Sequence, residues 1–172
     1  MTELSQRAVK TIPREAYTEV GEALGIMRNG VLVFETEDVS SVLMDCCLYE
    51  WKDNGKSLIQ RYVETHPGEP GTDEHYLLNA CLPAKFRVLF PESAVPGAGL
   101  YCRDILNKED LFVMDVAFSQ SIGDTGPRLA TRTIPLGEDW MTNGAALPIA
   151  NKEFKSALIR SEKALANATW GL

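Results

Sequence analysis

Four cysteines and two histidines are the side chains of this sequence best suited to nucleophilic or metal chemistry: Cys46, Cys47, Cys81 and Cys102, with His66 and His75. A tetrahedral zinc site draws on closely spaced ligand pairs, and no Cys-x-x-Cys pair occurs here. The adjacent Cys46 and Cys47 point to different sides of a helix, so no metal site is expected. A thiolate at Cys46, Cys47 or Cys81, paired with a base such as His75, is the remaining nucleophile arrangement. A helix-borne thiol without cationic neighbours keeps its proton and is a poor nucleophile. These cysteines therefore read as small buried hydrophobes. No Gly-x-Ser-x-Gly elbow is present.

"DEH", Asp73 to His75, has the residue types of a carboxylate–histidine cluster, but contiguous residues on a helix point in three directions. It reads as a solvated helix start. His66, just before Pro67, reads as a helix-end residue. "PGAGLY", Pro96 to Tyr101, contains two glycines but precedes a strand. A phosphate loop needs a helix N-terminus after it, so these glycines read as a tight bend. No catalytic residue and no cofactor is expected.

Aromatic and basic residues are interleaved downstream: Phe86, Tyr101, Phe112, Phe118 and Trp140 with Lys85, Arg87, Arg103, Arg128 and Arg132. Small barrels that bind single-stranded nucleic acid combine such residues on one face. Alternation along "KFRVLF" sets Phe86, Val88 and Phe90 against Lys85, Arg87 and Leu89. The expected arrangement is therefore rings inside and cations outside, with Asp104, Asp110 and Asp115 neutralising the outer surface.

The elements that carry these residues divide the chain near residue 84. Residues 1–84 read as helices. The first runs from a Thr11 cap to Asn29-Gly30, with Pro13 in its first turn. A short strand or link at "GVLVFETED" precedes a helix over "EDVSSVLMDCCLYEWKDNG" that exits at Asn54-Gly55. Two further helices follow, over "KSLIQRYVETHP" and, capped by Thr72, over "TDEHYLLNACLPA". Residues 85–149 read as a β-module with five short strands near 85–90, 98–105, 111–116, 128–134 and 139–149. Residues 150–172 read as an amphipathic helix, capped by Asn151, that packs on both. The expected fold is α+β. Its β-part is a five-stranded antiparallel small barrel or curved sheet, SH3-like or OB-like. In "RTIPLGEDWMTNGAALPI", Pro135 marks a strand edge or end, and Trp140 lies over a closing hairpin.

Charge narrows the partners. The sequence has a net charge of −7. Residues 1–84 hold 14 acidic against 7 basic side chains. Affinity for nucleic acid depends mostly on cation–phosphate contacts, so this balance disfavours it. No apolar run reaches the length of a membrane span and "MTELSQRAVK" lacks a signal-type apolar core, so a cytoplasmic location is expected.

"VLMDCCLYEWKDNGKSLIQRYV", "RVLFPESAVPGAGLYCRDIL" and "LATRTIPLGEDWMTNGAALPI" resemble segments of a family of uncharacterised bacterial proteins. The resemblance covers roughly residues 20–150. It implies an acidic helical segment joined to a short β-module, with no attached activity. Some members of that family occur beside a small cysteine-rich zinc module of the SecA C-terminal kind, which has no counterpart in this sequence. The leading expectation is a non-enzymatic interaction or adaptor protein whose partner is another protein or peptide. Arg103, Arg132, Pro135 and Trp140 are its candidate binding residues. The alternatives are single-stranded nucleic-acid binding by the β-module and a thiol-dependent enzyme.

Overall fold

The computed structural model describes residues 3–34, 36–121 and 127–149. The helix expected over residues 150–172 lies outside them.

The N-terminal half is helical, punctuated by two small hairpins. α1 (Glu3–Val9) was not foreseen from the sequence. It ends where the Thr11 hydroxyl donates to the Ala8 carbonyl at 2.7 Å. Thr11 therefore closes α1, and α2 (Arg14–Ala23) starts behind Pro13. α2 also stops earlier than expected. Asn29 and Gly30 both adopt positive φ, 53° and 76°, and form the turn between β1 (Met27–Arg28) and β2 (Val31–Leu32). Asn-Gly suits a two-residue hairpin because both residues tolerate the left-handed region. Asn54 and Gly55, at 52° and 78°, do the same between β3 (Lys52–Asp53) and β4 (Lys56–Ser57).

α3 (Glu37–Tyr49) starts where its apolar pattern put it, with Glu37 and Asp38 in the first turn, but ends at Tyr49 rather than at the expected exit Asn54-Gly55, which turns the β3–β4 hairpin instead. α4 (Leu58–Thr65) is closed by a capping box in which Ser57 and Gln60 satisfy each other's backbone N–H. α5 (Asp73–Cys81) has the expected Thr72 cap, whose hydroxyl accepts from the His75 N–H at 3.2 Å. The helices meet around Ala8, Ala16, Leu43, Cys47, Leu48, Leu58, Tyr62, Val63 and Leu78.

Five strands follow: β5 (Lys85–Val95), β6 (Gly99–Asp104), β7 (Glu109–Met114), β8 (Arg128–Leu136) and β9 (Asp139–Ile149). They form a closed barrel in the order β5-β6-β7-β9-β8. The expectation of an all-antiparallel sheet is corrected in one place. β7 and β9 run parallel, pairing Val113 with Trp140 and Met114 with Met141. The chain achieves this by placing α6 (Val116–Ser121) and then β8, which pairs with β5, between β7 and β9. A parallel neighbour cannot be reached through a tight hairpin. α6 packs against β5 and β6, and the Ser119 hydroxyl accepts from the Gly97 N–H at 3.1 Å.

The barrel interior also differs from expectation. Its buried residues are Leu89, Leu100, Cys102, Leu111, Val113 and Leu129, with Arg87 and Asp104 both fully buried. The Arg87 guanidinium bonds the carboxylates of Asp104 at 2.5 Å and Glu109 at 2.8 Å. Its Nε donates to the Thr133 hydroxyl at 3.0 Å. Arg87 thus faces inward, and by strict alternation Phe86 and Phe90 face outward. The physical reason is size: a five-stranded barrel encloses little volume, which branched aliphatic side chains fill better than rings.

Gly99 is fixed by the closeness of β7. A Cβ there would sit 2.3 Å from the Val113 carbonyl oxygen and 2.9 Å from the Phe112 ring. Gly99→Ala should therefore lower the urea midpoint by the equivalent of about 1–3 kcal/mol, as overpacking against backbone does. An unchanged midpoint would mean that β6 and β7 are not this tightly apposed.

Candidate functional site

Several rings gather on the outer face of β5, β6 and β7, away from α3 and α5, which pack against β9 and β8. Tyr101 is 54% exposed and Phe90 is 37% exposed. Tyr101 pairs across the strands with Phe112, and their rings lie 4.9 Å apart at a tilt of 59°. This geometry is favourable for an aromatic pair. The Phe112 ring also reaches over the bare backbone of Gly99, which holds it beside Tyr101. Phe90 pairs with Arg103 on β6, and Arg103 with Asp110 on β7. On the far side the Arg128 guanidinium lies 5.2 Å from the centre of the Phe90 ring.

The charges of this face are largely matched within it. Arg103 bonds Asp110 at 2.6 Å. That hydrogen bond holds the Arg103 guanidinium above its ordinary range, with a smaller contribution from Glu92. Glu92 is the extra residue of a bulge where the β5–β6 register shifts between Pro91 and Ser93. Three rings, two guanidiniums and the carboxylates of Glu92 and Asp110 therefore share one open surface. Nothing in this set is a nucleophile–base pair, so its chemistry is contact: ring packing, cation–π attraction and paired hydrogen bonds.

The opposite side of the barrel is occupied by the helices. Arg132, expected on an outer surface with Arg103, is buried instead. Its Nε donates to both Asp45 oxygens at 3.0 and 3.1 Å, and its Nη2 to Glu50 at 2.6 Å. The ring of Tyr49 lies 4.2 Å from the guanidinium and that of Phe86 5.9 Å. Asn143 adds a bond to Asp45 at 2.5 Å. Burial pushes the Asp45 carboxyl upward, against the pull of Arg132 and Asn143. Desolvation works to lower the Arg132 pKa, but Asp45 and Glu50 outweigh it and hold the guanidinium above its usual range. Arg132 thus joins α3 to β8.

Trp140 and Pro135 sit together at a third place. They are cross-strand partners on β8 and β9, next to the turn at Gly137-Glu138. Trp140 lays its ring 4.3 Å from the Arg87 guanidinium, closing the polar end of the barrel. Pro135 lies beyond the last β5–β8 pair, Lys85 with Thr133, so its missing N–H breaks no ladder there. Of the four residues singled out from sequence, Arg103 alone lies on the ring-bearing face. Phe90, Tyr101 and Phe112, expected inside with the other rings, lie on this outer face. The signal that could have revealed them is the Leu100, Cys102, Asp104 series, whose alternation leaves Tyr101 and Arg103 outside.

The thiols are poorly disposed to react. Burial pushes Cys46 up to about 11, reinforced by Asp45. Burial likewise pushes Cys47 and Cys102 up to about 12. Cys81 is also raised by burial, against a hydrogen bond with Tyr49. Among the described residues no group of three or more His, Cys, Asp or Glu side chains converges to hold a metal ion. None of the described helices is long and apolar enough to cross a membrane.

A family model described as a family of unknown function (DUF7986) matches residues 1–170. No curated protein and no solved structure matches the chain. The match agrees with the resemblance to an uncharacterised family and extends it over nearly the whole sequence; no activity comes with it.

These environments have measurable consequences. Iodoacetamide at mildly alkaline pH should leave the cysteines of the native protein largely unlabelled and label them on unfolding, as read by mass spectrometry. Rapid labelling of one cysteine in the native state would reopen thiol chemistry. Asp104 gives a pH dependence. Its burial favours the neutral form, but hydrogen bonds from Asn107, Arg87 and the backbone outweigh that and lower its pKa. A carboxyl lowered by folding contributes stability above its unfolded pKa of about 3.9, and the contribution is lost as pH falls towards the folded value. Asp104→Asn should therefore lower the melting temperature at neutral pH and flatten its decline below about pH 4.

Proposed function

We propose, since the chain belongs to this family of unknown function and carries no activity over from it, that the protein is a non-enzymatic interaction or adaptor module of the bacterial cytoplasm. It engages a polypeptide partner through the outer face of β5, β6 and β7. One observation carries the reading: among the described residues Phe90 and Tyr101 stand exposed with Phe112 on one sheet face, while β9 and β8 are packed against α3 and α5. Exposed rings clustered in this way are uncommon without a binding role, because clustered aromatics supply most of the energy at protein interfaces.

The barrel is best described as OB-like rather than SH3-like. Supporting this are the strand order first-second-third-fifth-fourth, the parallel third and fifth strands, and the helix between the third and fourth. In OB-type barrels the second and third strands carry the ligand face. These are β6 and β7, the strands that bear Tyr101, Arg103 and Phe112.

A polypeptide is favoured over a nucleic acid by charge. Arg103 is already paired with Asp110, and Glu92 lies beside it. A phosphate backbone approaching this face meets carboxylates with little unspent positive charge to neutralise it. Neutral, ring-rich surfaces with matched charges suit peptide contacts. The second reading, single-stranded nucleic acid, rests on the same rings flanked by Arg103 and Arg128, since stacking platforms tolerate any base. Of the residues named from sequence, Arg103 is proposed to border the partner. Arg132, Pro135 and Trp140 support the barrel that presents it.

The test uses defined probes. Random peptides are selected on the purified full-length protein, and a labelled oligothymidine is titrated at two salt concentrations. Selected peptides should bind wild type and lose about tenfold or more in affinity with Tyr101→Ala, the cost of removing one aromatic anchor. The oligonucleotide should not bind even at low salt. Salt-sensitive oligonucleotide binding that requires Tyr101 would transfer the face to nucleic acid. Peptides indifferent to both Tyr101→Ala and Phe112→Ala would remove the face from the function altogether.

A further inference from the structure

A second surface lies on the helical half, away from the barrel face. Two open cavities, of about 490 Å³ and 430 Å³, share Glu19 and Trp51 in their walls. They lie on either side of the hydrogen-bonded Glu19–Trp51 pair, along α2 and the corner between α3 and β3, and are treated together as one grooved surface. The first cavity is bounded by Glu15, Glu19, Asp53 and Arg61 around Trp51. The second is walled by Val20, Ala23 and Leu24, with Glu50 and Lys52 at its rim. Leu24 is 42% exposed, more than its apolar surface favours in water.

The groove's own charges decide what fits it. Arg61 is committed to Asp53 at 2.6 Å and also bonds the Asp53 carbonyl. Glu50 is committed to Arg132 at 2.6 Å. Glu19 accepts the Trp51 indole N–H at 3.0 Å, which fixes ring and carboxylate side by side. A carboxylate has further acceptor capacity beyond one such bond. An ammonium or guanidinium placed here meets an indole, a carboxylate held beside it and the nearby Glu15, the elements of a cation–π site reinforced by charge. The next cavity offers aliphatic walls.

We propose that this groove binds a basic, amphipathic polypeptide segment, one whose lysine or arginine lies against Trp51 between Glu15 and Glu19 and whose neighbouring aliphatic residue enters the cavity walled by Val20 and Leu24. The groove carries more carboxylates than cations, in a half of the sequence with 14 acidic against 7 basic residues, and this complementarity selects a cationic partner. The inference is independent of the barrel face. If both hold, the protein bridges two partners.

The test titrates a fluorescein-labelled peptide of alternating lysine and leucine into the full-length protein, followed by anisotropy, with a glutamate–leucine peptide as the counterpart. The lysine peptide should bind and the glutamate peptide should not. Glu15→Gln/Glu19→Gln should weaken binding by about fivefold or more, the effect of two partly screened contacts. Trp51→Phe should weaken it less. A charge-matched control, Glu37→Gln/Asp38→Asn at the start of α3, should leave affinity unchanged, as should Tyr101→Ala. Equal weakening by the two charge-reduced variants would show only general attraction to an acidic protein and would overturn the proposal. So would the absence of binding at low salt. Circular dichroism of each variant separates loss of binding from loss of fold.

Discussion

A buried guanidinium sets the arrangement of the whole molecule. Arg132 leaves β8 and enters the helical half, where Asp45 and Glu50 receive it between the rings of Tyr49 and Phe86. Desolvating a charge is costly, and only near-complete pairing offsets it. Each of these groups has little to gain in any other orientation, so the interaction fixes direction as much as it supplies energy. It requires the strand side bearing Phe86 and Arg132 to face α3. Phe90 lies on the same outer face of β5, four residues further along, and is exposed there with Tyr101 on β6.

A second buried arginine decides the same question from inside. Arg87, Asp104, Glu109 and Thr133 form a polar plug under the Trp140 ring. With Arg87 pointing in, strand geometry puts Phe86 and Phe90 out, and a slip of one residue would reverse every side chain of β5 at once. Arg87 and Arg132 sit on neighbouring strands in adjoining pairs, Arg87 with Thr131 and Phe86 with Arg132. One enters the barrel and the other leaves it. Together they pin the register of β5 against β8 from both faces, a task that apolar residues alone would specify less sharply.

The legible parts of the fold were those written locally. Thr72 before "DEHY" carries its cap in the sequence, and α5 begins behind it. α4 was legible as an apolar helix pattern, but it starts at Leu58, behind a Ser57 cap that was not read, after Lys56 and Ser57 pair in β4. The strands after residue 84 were legible from their turns, as at "NKED" between β6 and β7. Face assignment was not legible, because "KFRVLF" holds apolar residues on both faces and its arginine suggested solvent. The partner that makes Arg87 an interior residue, Asp104, lies on the next strand, 17 positions away. Arg132 is further still from Asp45, 87 positions away in sequence. Pairings of this kind are tertiary facts, and no local period announces them. The parallel β7–β9 pair was hidden for a similar reason: α6 is only six residues long and its sequence, "VAFSQS", resembles the end of a strand.

The two exposed surfaces differ in how their charge is arranged, and that difference carries functional meaning. On the barrel face, Arg103 and Asp110 neutralise each other beside the rings, so affinity there must come from burying aromatic area and long-range steering is weak. On the helical half, Glu15, Glu19, Asp53 and Glu50 line the cavities beside Trp51 against Arg61 and Lys52, an excess of negative charge whose field can draw in a cationic segment before contact. Salt therefore acts differently on the two. Screening shortens the reach of the acidic groove to about 8 Å at physiological ionic strength, whereas aromatic contact on the barrel is little affected. The Arg132 bonds to Asp45 and Glu50 tie β8 to α3 and so join the halves that carry these two surfaces.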